Sequence, residues 1–127
     1  MNNALYVAAI LTIAISVAHS YLGERYILMR LFRHTDLPKL FGSDDFTKKT
    51  LRFAWHITSV AWLGFAAILI LMARGGPTVR ALGVVIGATF LLHGLITLVA
   101  SRGRHLAWPV FLTIGVATIY ATRFPAA

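Results

Sequence analysis

The sequence predicts an all-α protein, an integral membrane bundle of four transmembrane helices that forms a single domain over residues 1–127. Of its 127 residues, 58% are hydrophobic and 13% are charged, whereas a soluble domain carries about 25% charged residues. The apolar residues gather in long runs, and a helix needs about 20 such residues to cross the hydrocarbon layer. The chain has no cysteine, which excludes disulfides, iron–sulfur clusters and thiolate zinc sites.

Four apolar stretches predict the transmembrane helices, at residues 4–22, 53–73, 81–101 and 106–122. The fourth is the shortest, and it carries Trp108 and Tyr120 near its ends, where aromatic residues favour the membrane interface. On the third, Gly83 and Gly87 are four residues apart and predict a face where another helix packs closely. No basic residue precedes the first stretch, so we expect it to be retained and not cleaved as a signal peptide.

The connection over residues 23–52 contains most of the chain outside the membrane. Residues 24–33 are amphipathic and predict a helix that continues the first span into the headgroup layer. Pro38 interrupts this helix. Ser43 precedes two aspartates and predicts the N-cap of the second helix, because acidic residues favour the first turn. This helix is expected to enter the membrane at about Phe53.

The distribution of basic residues predicts the orientation of the chain. Nine of the twelve Lys and Arg residues lie in the first and third connections, and three lie on the opposite side. The positive-inside rule places the nine in the cytoplasm and both termini outside. Anionic lipid therefore accounts for the net charge of +8, and we expect the lipid bilayer, and no nucleic acid, among the partners.

Three histidines lie within three different predicted spans. His19 and His56 lie about 4–5 Å inside the cytoplasmic edge, and His93 lies about 12 Å inside, at a helical rise of about 1.5 Å per residue. Ionisable side chains inside a membrane usually face a bundle interior, a cavity or a bound group. The sequence therefore predicts that the three imidazoles converge in the cytoplasmic half of the bundle.

Polar residues at helical spacing accompany each histidine. The stripes are Thr12, Ser16 and Ser20 beside His19, Ser59 with His56, and Thr89, Thr97 and Ser101 with His93. Glu24 is the carboxylate nearest the membrane edge and lies one helical turn beyond Ser20, which extends the first stripe. Polar stripes in lipid turn towards other helices, so we expect these to meet in the centre of the bundle.

These residues support three hypotheses for a functional site. A b-type haem would be held by imidazoles from facing helices, with His19 and His56 as the leading pair and His93 as a further cofactor-binding candidate. A transition metal ion would instead use His19, Glu24, His56 and His93 as ligands. The third hypothesis is a quinone, proton or small-substrate site lined by imidazoles that change charge near neutral pH.

Other interpretations require no cofactor. The chain is also consistent with an accessory subunit of a larger membrane complex, in which the histidines only join helices, or with a small dimeric transporter or proton-coupled channel. No metal-binding or nucleophile motif occurs, so no catalytic residue is indicated. In its composition and spans, the chain resembles the small four-span proteins of bacterial inner membranes, which implies that location.

Overall fold

The computed structural model describes residues 2–124, and within them the regular structure is helical. The predicted all-α class is therefore confirmed. The elements are α1 (Asn3–Leu22), a π-helical turn (Gly23–Leu28), α2 (Met29–Leu31), α3 (Asp45–Ala73), α4 (Val79–Ser101) and α5 (Ala107–Arg123). The first three form one continuous helix, so the predicted extension of the first span is present and ends at Leu31.

Three helical segments are long and apolar enough to cross a membrane, namely Asn3–Leu31, Asp45–Ala73 and Val79–Ser101. The fourth predicted span corresponds to α5, which has 17 residues. At about 1.5 Å per residue its length is about 25 Å, which is shorter than the hydrocarbon core of about 30 Å. A fourth transmembrane crossing therefore remains a prediction.

The long helices pack in chain order as antiparallel neighbours. At one end of the α1–α3 pair, the Asn2 amide donates to the Ala73 carbonyl at 3.5 Å, and at the other end Arg52 lies beside Glu24. Likewise α3 packs on α4, and α4 packs on α5. Within residues 2–124, no Cα atom of α1 lies within 8 Å of a Cα atom in α4 or α5. The helices form an open row, and the polar stripes of α1 and α4 have no common centre.

The contact between α4 and α5 depends on glycine. A Cβ atom placed on Gly87 would lie 2.8 Å from the Gly115 carbonyl oxygen, and one placed on Gly115 would lie 2.8 Å from the Gly87 carbonyl oxygen. The two backbones therefore touch where neither helix has a side chain. The close-packing face predicted from Gly83 and Gly87 is confirmed, because Gly83 lies against Thr122 of α5.

The connection between α2 and α3 ends in a tight turn. Phe41 and Gly42 have positive φ angles of 59° and 87°, and Asp44 occupies the N-cap position of α3. Ser43, the predicted N-cap, thus lies one residue too early, although its hydroxyl accepts the Asp45 amide at 3.4 Å. The turn brings the start of α3 to the same end of the row as the π-helical turn.

Candidate functional site

The polar stripes of α1 and α3 meet each other within two helical segments that are long and apolar enough to cross a membrane. The Ser16 hydroxyl donates to the Ser59 carbonyl at 2.8 Å, and the Ser59 hydroxyl donates to the Ser16 carbonyl at 3.0 Å. Both side chains are buried. Their small size allows the two helices to approach, and each hydroxyl satisfies its hydrogen-bonding capacity across the interface.

A line of hydrogen bonds continues from Ser59 towards the end of the row. The Ser20 hydroxyl lies 2.8 Å from the Ser59 hydroxyl, and His56 Nδ1 lies 3.0 Å from the Ser20 hydroxyl. His56 Nε2 lies 3.2 Å from Glu24 Oε2. We refer to Ser59, Ser20, His56 and Glu24 as the polar chain. It crosses between α1 and the π-helical turn on one side and α3 on the other.

Arg52 terminates the polar chain. Its Nη2 lies 2.9 Å from Glu24 Oε1, and its Nε donates to Glu24 Oε2 at 3.1 Å. Exposure rises along this route, because Ser59 is buried, the His56 and Glu24 side chains are 33% and 31% exposed, and the Arg52 side chain is 49% exposed. The polar chain therefore links the buried helix interface to the accessible end of the molecule.

The donors and acceptors of the polar chain allow two hydrogen-bond arrangements. In one, the Ser59 hydroxyl turns from the Ser16 carbonyl to donate to Ser20. The Ser20 hydroxyl then donates to His56 Nδ1, and Nε2–H donates to the Glu24 carboxylate. In the other, Nδ1–H donates to Ser20, whose hydroxyl donates to Ser59, and a proton lies between Nε2 and Glu24. Imidazole and hydroxyl groups can both donate and accept, so the first arrangement becomes the second when the hydroxyls rotate and the ring takes up one proton. This is the requirement for passing a proton along the polar chain.

The π-helical turn places Glu24 beside α3. The Met29 amide bonds to the Glu24 carbonyl, a spacing of five residues that is wider than the α-helical spacing. Such π-helical turns are rare and occur frequently at functional sites. Glu24 still follows Ser20 on the side of the helix that faces His56. The predicted extension of the first polar stripe to Glu24 is thereby confirmed.

His19 lies beside the polar chain in an aromatic environment. Its ring stacks on Trp55 at 4.6 Å with an interplanar angle of 3°, and Trp62 lies 4.9 Å away at a tilt. The Trp55 indole also donates from Nε1 to the His19 carbonyl at 3.0 Å. Gly23 makes room for this indole, since a Cβ atom there would overlap it.

His93 is separate from the other two predicted histidines. It is buried on α4, where Nδ1 donates to the Thr89 carbonyl of its own helix at 2.6 Å. The ring meets Phe111 of α5 edge to face at 5.7 Å. It also lines an apolar cavity of about 150 Å³ between α3 and α4. These contacts suit a histidine that joins helices.

Of the four predicted ligands, the structure brings His56 and Glu24 into direct contact. His19 instead packs against two tryptophan rings, and His93 makes its contacts on α4 and α5. Both ring nitrogens of His56 already have partners. Over the residues that the structure describes, no group of three or more His, Asp or Glu side chains is spaced to hold a metal ion. The haem and metal hypotheses therefore gain no supporting geometry.

The contacts that two residues of this region make, Arg52 and Trp55, were not predicted from the sequence. Arg52 precedes His56 by four residues, so helical spacing places both on one face of α3. Two features of the sequence could have identified Arg52. They are this spacing and its position opposite the single carboxylate near the membrane edge. The position of Trp55 against Gly23 has no such signal, because it depends on the register between two helices.

Comparison with known proteins returned no relative for this chain. No protein-family model, curated protein or solved structure matches it. The functional interpretation rests on the contacts described above.

Proposed function

We propose that the chain is a multi-pass protein of the bacterial inner membrane that moves protons through the polar chain, as part of a small transporter or proton-coupled channel. The observation that carries the proposal is the position of His56, with one ring nitrogen on Ser20 and the other on Glu24. Histidine is the side chain that gains and loses a proton most readily near neutral pH. Ionisable residues within membrane helices commonly form proton relays.

In the proposed orientation, four helices cross the membrane and both termini lie outside. Glu24 then exchanges protons with the cytoplasm beside the permanently charged Arg52 guanidinium, and Ser59 lies deeper in the membrane. Towards the outside, the α1–α3 interface contains the buried small residues Ala9 and Ala66, which offer no hydrogen-bonding side chain. The polar chain therefore accounts for the cytoplasmic half of a path, and a bound substrate, a second copy or a larger complex would complete it.

A proton-flux measurement in liposomes tests the proposal. The purified full-length protein is reconstituted with a pH-sensitive dye inside the vesicles, and a pH step is applied. We expect flux above that of empty liposomes, and we expect His56→Gln and Glu24→Gln to lose it. A glutamine keeps hydrogen bonds but does not carry a proton as imidazole or carboxylate does.

His34→Gln provides the matched control, because His34 is exposed in the connection between α2 and α3. This variant is expected to keep the wild-type flux. Flux equal to that of empty liposomes, or His56→Gln as active as His34→Gln, would refute the proposal.

A further inference from the structure

A polar cavity of about 250 Å³ lies at the same end of the row as Arg52, on the other side of α3. It forms where the turn before α3 meets the turn between α4 and α5. Three basic residues from two separate parts of the chain line it, Lys49 of α3 and Arg102 and Arg104 of the α4–α5 turn. It is independent of the polar chain, because neither His56 nor Glu24 lines it.

The charges around this cavity are unbalanced. Its lining includes one acidic residue, Asp45, whose carboxylate faces the Ser43 hydroxyl at 3.3 Å. The ion pairs found among residues 2–124 are Lys48–Asp44, Arg52–Glu24 and His56–Glu24. The three basic residues of the lining are in none of them. The lining therefore has three basic residues against one acidic residue, and this excess of positive charge favours an anion.

The backbone holds one of these cations in an uncommon conformation. Arg102 has φ 51° and ψ 41°, the left-handed region, at the C-terminus of α4. Glycine or asparagine usually occupies such a position, because a larger side chain is disfavoured there. The next residue, Gly103, also has a positive φ angle of 77°. The chain thus reverses direction within two residues and brings Arg102 and Arg104 to one cavity.

The surroundings of the cavity match the headgroup layer of a membrane. Phe41 and Leu106 are 74% and 80% exposed, and the Arg104 guanidinium lies 5.9 Å from the centre of the Phe41 ring. Exposed apolar residues beside cations are typical of segments that lie at the membrane surface. Arginine fits phosphate well, because its planar group donates two parallel hydrogen bonds.

We propose that this cavity binds a phosphate group, carried either by an anionic lipid headgroup or by a soluble phosphate compound.

The experiment is calorimetric titration of the full-length protein in a mild non-ionic detergent. The probes are short-chain phosphatidylglycerol, short-chain phosphatidylcholine and inorganic phosphate. The tested variant is Lys49→Gln with Arg102→Asn, since asparagine tolerates the left-handed conformation. We expect about 25-fold weaker binding, at about fivefold for each basic residue removed.

The control is Arg80→Gln with Arg123→Gln, which removes two charges at the opposite end of the row and is expected to bind as the wild type does. Phosphatidylglycerol binding alone identifies a lipid headgroup, and additional binding of inorganic phosphate identifies a soluble compound. The proposal is overturned if neither binds, if phosphatidylcholine binds as tightly as phosphatidylglycerol, or if both double variants bind equally. Should the melting temperature of the tested variant fall, Arg104→Gln alone is used and is expected to bind about fivefold more weakly.

Discussion

His56 is the residue on which the polar chain depends, because both of its ring nitrogens are links in that chain. The other two histidines of the predicted spans are placed differently. His19 is stacked on an indole, and His93 bonds to a carbonyl of its own helix. Three residues of one type thus have three different surroundings, and chemical role follows the contacts each ring makes.

Ser20→Ala separates a proton relay from a simple helix contact. The substitution removes the link between His56 and Ser59, so we expect proton flux to fall to the level of empty liposomes. Interhelical hydrogen bonds in membranes contribute about 0.6 kcal/mol on average, and the melting temperature in detergent should fall only slightly. Thr113→Val, on the exposed side of α5, is the control. Unchanged flux in Ser20→Ala would contradict the relay.

Gly23→Ala tests the contact between the π-helical turn and the Trp55 indole. The added methyl group would overlap the indole, and we expect a loss of about 1–3 kcal/mol in stability, as is typical of overpacked interiors. Tryptophan fluorescence should change as the indole moves off His19. Trp55→Leu in the same chain removes the obstacle, so Gly23→Ala should cost less in that background. If Gly23→Ala lowers stability equally in the presence and in the absence of the Trp55 indole, the overlap between the methyl group and the indole is absent.

At the scale of elements, helix pairing relies on small residues at the interfaces. Serines allow α1 to approach α3, and glycines bring α5 onto α4. Lipid tails are as apolar as leucine, so close packing and hydrogen bonds replace the hydrophobic effect as the force between helices. The shortest of the long helices, α5, contacts α4 and no other long helix within residues 2–124, so its position depends on this packing.

Gly87→Ala is expected to weaken the contact between α4 and α5. Its methyl group would lie 2.8 Å from the Gly115 carbonyl oxygen, a backbone atom that moves only with its helix. We expect a loss of about 1–3 kcal/mol, measured by unfolding in detergent. Ala88→Val adds bulk to the neighbouring exposed position of the same helix and should have little effect. Equal losses in both variants would argue against the close contact.

The sequence predicted the helices well and their partners less well. Long apolar runs predicted the positions of α1, α3, α4 and α5, and the acidic residues after Ser43 predicted the start of α3 within one or two residues. Hydropathy identifies residues that avoid water, but it does not distinguish a lipid contact from a helix contact. The convergence of His93 with His19 and His56 was expected for this reason, and the open row keeps α4 away from α1.

The contacts of the candidate site were likewise predicted only in part. Helical spacing alone indicated that Glu24 continues the stripe of Ser20, and both residues contact His56. The contact of Trp55 with Gly23 depends on the register between α1 and α3, and the π-helical turn depends on a local change in hydrogen bonding. Neither has a periodic pattern in the sequence from which it could be predicted.

For the whole molecule, the open row leaves α1 and α5 at opposite edges. The positive-inside rule predicts that the end with Arg52 and the basic cavity faces the cytoplasm. Proton exchange with the cytoplasm and binding of anionic headgroups would then occur at one end of the molecule. The predicted orientation therefore puts both proposed activities, proton exchange and headgroup binding, on the same side of the membrane.

Cysteine labelling in intact cells tests the orientation, and the chain is suited to it because it contains no cysteine. Lys39→Cys is expected to resist a membrane-impermeant maleimide, since the positive-inside rule predicts a cytoplasmic location for residue 39. Arg74→Cys, in the exposed turn after α3, is the matched control and should be labelled. The reverse labelling pattern would invert the orientation.

The most direct test of the central claim is an exchange of the two partners, Glu24→His with His56→Glu, in the liposome flux assay. If the contact between imidazole and carboxylate carries the proton, each single variant should lose flux. The exchanged pair, with its partners on opposite helices, should recover much of that flux. Exchange variants that fold with the wild-type melting temperature and yet remain as inactive as the single variants would contradict the account, as would single variants with wild-type flux.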